Sequence, residues 1–304
     1  MEYVLTTAAL RKKYGNFTAL KDVTMHVPKG AIYGFVGKNG AGKTTLIRLV
    51  CGLQTPTSGE YTLFGIPSGR REIGKSRRRM GAVVETPSIY LDLTAEENLR
   101  EQYRILGLPS FDTIPGLLRL VGLADTGKKK AKNFSLGMRQ RLGIAVALSG
   151  SPDFLILDEP ANGLDPQGII EMRELLLTLN REQGITLLIS SHILDELSRL
   201  ATHYGFIDNG SILREISAKE LEASCRRCLC VTVSNTQALC TALDRSGIEY
   251  RVLSDSDAEI YSPIAVTDLV ETLSAEGCIL SRVHEREEGL ENYYMNLIGG
   301  KCDA

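Results

Sequence analysis

A chain of 304 residues with 43% hydrophobic and 24% charged residues has the balance of a globular protein with room for one large domain and a smaller one. A formal net charge of -2 gives bulk electrostatics no preference for nucleic acid or an anionic membrane, so a nucleic-acid partner is not expected. No apolar stretch approaches the roughly 18 residues of a bilayer span, and Met1 to Leu10 lacks the charged-then-apolar order of an export signal. From Met1 to about Ser217, strand-like and helix-like segments alternate, which predicts an α/β domain with a mainly parallel sheet. Leu20 to Val27 reads as an early strand. Ala31 to Val36 reads as a buried strand running into the glycine-rich segment Gly37 to Thr45. Leu46, Ile47, Leu49, Val50 and Leu53 then form a helical apolar face. From Thr86 to about Ser149 the pattern is mainly helical, with a capping box at Thr94 and Glu97 opening a helix to about Leu106. Phe154 to Leu157 is a short apolar strand, Asp165-Pro166 starts a helix, and Ile185 to Ile189 is another buried strand. After about Ala218 the composition changes, and the order β-α-β-β-α-β with a closing helix predicts a small α+β domain.

The segment GKNGAGKTT places Gly37, Gly42, Lys43 and Thr44 at the specified positions of a phosphate-binding loop. Backbone N–H groups of Gly37, Lys38, Asn39, Gly40, Ala41, Gly42, Lys43, Thr44 and Thr45 can surround phosphate oxygens, because glycines let the chain approach closely. The following helix adds its positive dipole end. Lys43 can reach the β- and γ-phosphates, and the Thr44 hydroxyl can bind Mg²⁺. Strand, glycine loop and helix in that order make a nucleoside triphosphate with Mg²⁺ the expected ligand.

FLILDEP, Phe154 to Pro160, puts Asp158 and Glu159 at the C-terminal end of a buried strand, where ligands of open α/β sheets sit. Asp158 suits Mg²⁺, and Glu159 suits the polarisation of a water for attack on the γ-phosphate. His192 ends a second such strand and is expected at the same edge, within reach of the γ-phosphate or the water.

FSLGMRQR, Phe134 to Arg141, carries a family resemblance. With the phosphate loop, the acidic strand end Leu157–Glu159, the segment Gly163-Leu164-Asp165 and His192, in that order, residues 1–217 resemble the ATP-binding subunit of an ABC transporter. The resemblance implies a P-loop ABC ATPase cassette, with a mixed sheet core and a helical subdomain at about 86–149, and residues 218–304 as an accessory α+β domain. It implies a head-to-tail dimer, in which each ATP lies between the phosphate loop of one copy and Ser135 and Gly137 of the other. Asp165 would link the two sites, and Tyr14 would stack on adenine. It further implies ATP hydrolysis coupled to a separate membrane permease, and a peripheral position on the cytoplasmic side of the membrane.

The chain departs from the family pattern at Leu136 and Met138 in the signature, and at Glu85, which stands where a glutamine usually contacts Mg²⁺. A carboxylate can replace a carbonyl ligand but adds negative charge near the metal. Glu85 followed by Pro87 and Tyr90, then LTAEENL and SLGMRQRLGIA, is similar to the bacitracin and lantibiotic export and self-protection branch. Export of a peptide antibiotic or drug is therefore expected, with an exporter for another substrate as the alternative. A DNA-repair or chromosome-organising ATPase would need sustained heptads between loop and signature, and a ribosome-associated factor normally carries two cassettes; neither feature is present. A non-hydrolysing regulatory module fits poorly with Glu159 and His192.

The seven cysteines are scattered, an odd number suited to free thiols in a reducing compartment. Cys225, Cys228 and Cys230 cluster, but no second pair follows at zinc-site spacing, so they read as small hydrophobes. His26, His203 and His284 have no site context. The basic runs Arg70–Arg79 and Lys128–Lys132 read as solvated faces, with a membrane subunit or anionic lipid head groups as the alternative.

Overall fold

A short turn at Gly15 (φ +56°) joins the two long antiparallel strands β1 (Tyr3–Tyr14) and β2 (Phe17–Pro28). The computed structural model describes residues 2–224, 227–262, 264–287 and 290–299, and the chain divides into units of residues 1–218 and 219–304. The first unit continues with β3 (Ile32–Val36), α1 (Lys43–Val50), β4 (Ser58–Leu63), β5 (Ile66–Pro67), α2 (Ile73–Arg77) and β6 (Met80–Val83). A helical stretch follows, comprising α3 (Ala95–Leu106), α4 (Ile114–Leu120) and α5 (Leu136–Leu148). The unit then runs through β7 (Phe154–Asp158), α6 (Pro166–Arg181), β8 (Thr186–Ser191), α7 (Leu194–Ser198), β9 (His203–Asp208) and β10 (Ser211–Ser217).

Six strands form one sheet in the order β10-β9-β3-β8-β7-β6, parallel throughout except for the β9–β10 hairpin. Every residue of β3, β7 and β8 is buried, the near-continuous apolar pattern of a parallel sheet covered on both faces. The expectation of a mainly parallel sheet describes these six strands. The antiparallel sheet of order β2-β1-β4-β5 makes the core mixed, as the family resemblance implies; periodicity alone does not show it. The reason is local: register shifts in β1 between Thr7 and Leu10, and again by Lys12, break the period-two burial that makes a strand legible. Leu53 also departs from the expected helical face. The helix α1 stops at Val50, the chain turns at Gly52 (φ +76°), and Leu53 is 66% exposed.

The capping box is complete. Thr94 Oγ1 accepts from Glu97 N (3.2 Å), and Glu97 Oε2 accepts from Thr94 N (2.8 Å), which satisfies two N–H groups that the helix cannot. Gly107, at φ +67°, ends α3 in the left-handed conformation.

The helix α8 (Ala218–Ser224) leads into the second unit. There β11 (Arg227–Val233), α9 (Thr236–Arg245), β12 (Tyr250–Val252), β13 (Asp257–Ile260), α10 (Val266–Ala275), β14 (Leu280–Glu287) and α11 (Leu290–Ile298) follow in order. Its antiparallel sheet has the order β12-β13-β11-β14. Val231, Val233, Ala258 and Ile260 on one face of this sheet form a core with Leu239, Leu243, Leu269 and Leu273 of α9 and α10. Cys225 and Cys302 lie outside the described residues.

Candidate functional site

The glycine loop joins β3 to α1 at the C-terminal edge of the parallel strands. Gly37 is there because nothing larger fits: a Cβ would lie 2.6 Å from the Ile207 carbonyl oxygen. Gly42, at φ +112°, is the N-cap of α1 and brings no side chain to cap it. The first N–H groups of a helix have no carbonyl one turn back, so those of Lys43, Thr44 and Thr45 border a ready anion site. The loop is pinned from outside by the β9–β10 turn. Gly210 N donates to Ala41 O (3.0 Å), while Gly210 O accepts from Lys21 N (2.7 Å). Lys38, Asn39 and Gly40 are exposed at the loop tip, and Ala41 is buried beneath it. Lys43 is 5% exposed; its Nζ donates to Gly37 O (2.5 Å) and Lys38 O (3.3 Å).

Three strand ends converge on this loop. Asp158, 2% exposed at the end of β7, accepts from Thr44 Oγ1 (2.8 Å) and from Ser190 Oγ (2.5 Å). Glu159 follows in the left-handed region at φ +52°, a conformation that costs about 1–3 kcal/mol in a non-glycine residue. Its N–H is held by Ser190 O (3.1 Å) and Ser190 Oγ (3.0 Å). Its carboxylate bridges two bases, with Oε1 3.1 Å from Lys43 Nζ and Oε2 2.7 Å from His192 Nδ1. Glu196 adds a second acid nearby. Burial, then the Glu159 charge, raise its carboxyl above the usual range, and His192 acts the other way.

Sequence patterning therefore brought Lys43, Thr44, Asp158, Glu159 and His192 to one place. It missed Ser190, which holds the Asp158 carboxylate and the Glu159 backbone N–H. The signal was available: Ser190 and Ser191 are buried polar residues ending an otherwise apolar strand. It also missed the turn Asn209-Gly210, a hairpin signal that fixes the loop from behind.

The remaining candidates lie apart from this cluster. Ser135 N-caps α5 and accepts from Met138 N (3.3 Å), while Asp165 N-caps α6 and accepts from Gly168 N (3.1 Å). These two segments abut within one chain. Leu164 Cδ2 is 3.5 Å from where a Gly137 side chain would begin, and Leu136 Cδ2 is 3.1 Å from the same point on Gly163. Among the described residues, no hydrogen bond or ion pair joins Ser135 or Gly137 to residues 37–45. Tyr14 is 41% exposed, with its hydroxyl bonded to Gln54 and the Lys12 ammonium 5.1 Å over its ring. Glu85, at φ +61°, forms an ion pair with Arg48 at 2.6 Å.

The arrangement combines an anion-binding helix start, a buried lysine, hard oxygen donors and a carboxylate positioned between two bases. The Thr44 hydroxyl and Asp158 carboxylate are the donor types Mg²⁺ prefers, so the residues present fit that ion.

A sequence model of the family described as ABC transporter matches residues 20–162. The chain is 41% identical over 305 aligned residues, spanning 99% of both sequences, to the bacitracin transport ATP-binding protein BcrA of Bacillus licheniformis. The chain belongs to the ABC transporter family. It is also 46% identical over 215 residues to the lantibiotic transport ATP-binding protein SrtF of Streptococcus pyogenes, covering 71% of this chain and 90% of that one. Among solved structures, a dimeric ATP-binding cassette bound to ADP and Pi superposes with a TM-score of 0.63 at 26% identity, over 70% of this chain and 98% of that one. This ABC protein thus has the cassette fold, binds ATP and is an ATPase. Among the described residues, no helix is long and apolar enough to cross a membrane.

Proposed function

We propose that this ABC ATPase works as one of a pair of cassettes and drives export of a peptide antibiotic through a separate membrane permease. The observation that carries the reading is the 41% identity over essentially the whole of both chains to a bacitracin transport ATP-binding protein. A relative named for lantibiotic transport supports the same substrate class. Relatives named as transport ATP-binding proteins support a peripheral place beside a separate permease, on the cytoplasmic side of the membrane. Residues 1–217 would be the motor, and residues 218–304 an accessory domain.

The residues take the following roles. Residues 37–45 hold the triphosphate, with Lys43 on its terminal phosphates and Tyr14 against the adenine. Thr44 and Asp158 would hold Mg²⁺, which when bound neutralises phosphate charge as it develops. Glu85 lies on the loop after β6 as a further oxygen donor. Glu159 takes the proton of the attacking water, and the 2.7 Å bond from His192 orients its carboxylate. Ser135 and Gly137 of a second copy complete the phosphate shell, and Asp165 joins the two sites. Closing the pair excludes water, which strengthens every one of these interactions.

The test is deletion of the gene from the cell that carries it, complemented by wild type or Glu159→Gln. Susceptibility to bacitracin and to lantibiotics is then measured. Sensitisation restored only by wild type is expected. Unchanged susceptibility to both classes would sink the export reading, while ATPase assays on purified protein test the motor independently.

A further inference from the structure

We propose that the second unit carries a zinc site built across three adjacent strands from Cys228, Cys230, Glu259 and His284. Cys228 and Cys230 are two apart on β11 and so share one face of the sheet, opposite to the core face of Val231 and Val233. Cys230 is paired with Glu259 of β13 on one side and with His284 of β14 on the other. Directly paired residues point to the same face, with Cβ atoms about 4.5–5.5 Å apart. One thiol thus has a carboxylate and an imidazole as its two lateral neighbours.

The distances suit a metal. The two Sγ atoms are 4.0 Å apart, and two thiolates on a tetrahedral zinc, at about 2.3 Å each, stand about 3.8 Å apart. Both sulfurs and a Glu259 carboxylate oxygen lie within 4.8 Å of one another. Cys228, Cys230 and Glu259 are 6%, 9% and 4% exposed, so the three donors are shielded from bulk water. The Tyr261 hydroxyl donates to Glu259 Oε2 (2.5 Å), the outer hydrogen bond that commonly orients a metal-bound carboxylate. His284 is exposed and lies outside the group whose ligand atoms are within 4.8 Å of one another, so it would join as the fourth ligand by turning its ring inward. A cleft of about 430 Å³ has Cys228 and Tyr261 on its wall, so one of the four ligands borders open space. Two thiolates with an imidazole and a carboxylate select zinc over magnesium or calcium, and four protein ligands describe a structural site. Two arginines compete as cations: Arg251 stands opposite Glu259 in the β12–β13 register and bonds the Tyr261 hydroxyl, and Arg286 stands opposite Cys228 in the β11–β14 register.

The reading is independent of what the first unit transports. Full-length protein, stripped with chelator, is titrated with Co²⁺ and then with Zn²⁺ against a chromophoric chelator. One equivalent per chain, with a thiolate-to-cobalt charge-transfer band, is expected. Cys228→Ser with Cys230→Ser should abolish the band. His284→Ala and Glu259→Gln should each weaken zinc binding by roughly tenfold or more. Cys278→Ser, a thiol in the core of the same unit, should leave binding intact. ATP binding and circular dichroism report whether each variant folds, and exposed His284 keeps the test valid if the cysteine variant does not. Absence of stoichiometric zinc binding would overturn the proposal, as would a band that survives the double cysteine substitution. Zinc affinity indifferent to both His284→Ala and Glu259→Gln would do the same and leave the arginines of this face as the cations that Glu259 serves.

Discussion

Arg48 reaches from the phosphate-loop helix to Glu85 at 2.6 Å, and it stands one helical turn from Thr44 on the same face. The loop after β6 is thereby tied to the helix that begins at the nucleotide site. Both side chains are more than a third exposed, so the pair itself contributes no more than about 1 kcal/mol to folding. Its interest is mechanical. Glu85→Gln is expected to leave thermal stability within about 1 kcal/mol of wild type. It should reduce antibiotic resistance in cells more than it changes ATP affinity. An equal loss of both would move Glu85 from coupling to the metal.

Glu159 is the only acid here held by both Lys43 and His192 among the described residues. Replacing it with Gln keeps the shape and removes the proton acceptor. Turnover should drop by roughly 10²–10⁴. ATP binding should persist, and ATP should trap a dimer visible by gel filtration. Turnover at the wild-type level in Glu159→Gln would remove it from the role of base.

Gly137 separates folding from function. A Cβ there meets only Leu164 at 3.5 Å, an ordinary contact, and the residue sits in the first turn of α5. Gly137→Ala should therefore fold, with stability unchanged or raised by up to about 1 kcal/mol. If a second copy presents this glycine to the γ-phosphate, ATP-driven dimerisation and hydrolysis should still collapse. A variant with full ATPase activity would show that position 137 does not approach the nucleotide.

Ser190 supports the Asp158 carboxylate and the Glu159 backbone without any motif naming it. Ser190→Ala deletes the donor to Asp158 and one acceptor of the Glu159 N–H. The expected cost is about 1–3 kcal/mol of stability. The stronger expectation is a weakened dependence of ATP binding on Mg²⁺, read by titrating Mg²⁺ at fixed ATP. Mg²⁺ affinity equal to wild type would limit Ser190 to a packing role.

Tyr33 ties stability to alkaline pH. Its buried hydroxyl donates to Glu215 (2.6 Å), and burial, then the Glu215 charge, push the phenol well above its ordinary 10.0. The folded state keeps the proton that the unfolded chain loses near pH 10. Stability from this group is therefore complete below about pH 10 and falls as pH rises beyond it. Denaturant unfolding at about pH 8 and 10.5 should show a smaller alkaline loss in Tyr33→Phe than in wild type. Parallel losses in the two proteins would contradict the assignment.

The sequence by itself determined the nucleotide chemistry. A glycine loop between a buried strand and a helix, an acidic strand end and a histidine after another buried strand are local patterns, because strand direction alone carries their residues to one sheet edge. The second unit's element order was also legible, with amphipathic helices α9 and α10 between short strand-like runs. The tertiary structure decided what depends on register between distant segments. The bulged β1 found its partners only through the antiparallel sheet, and Ser190 gained its meaning only beside β7. Cys228 and Cys230 read as hydrophobes in the chain; pairing across three strands set a carboxylate and an imidazole beside them. Periodicity reports which face a side chain takes, whereas strand pairing fixes its neighbours on that face, and that information lies in contacts between segments far apart in the chain.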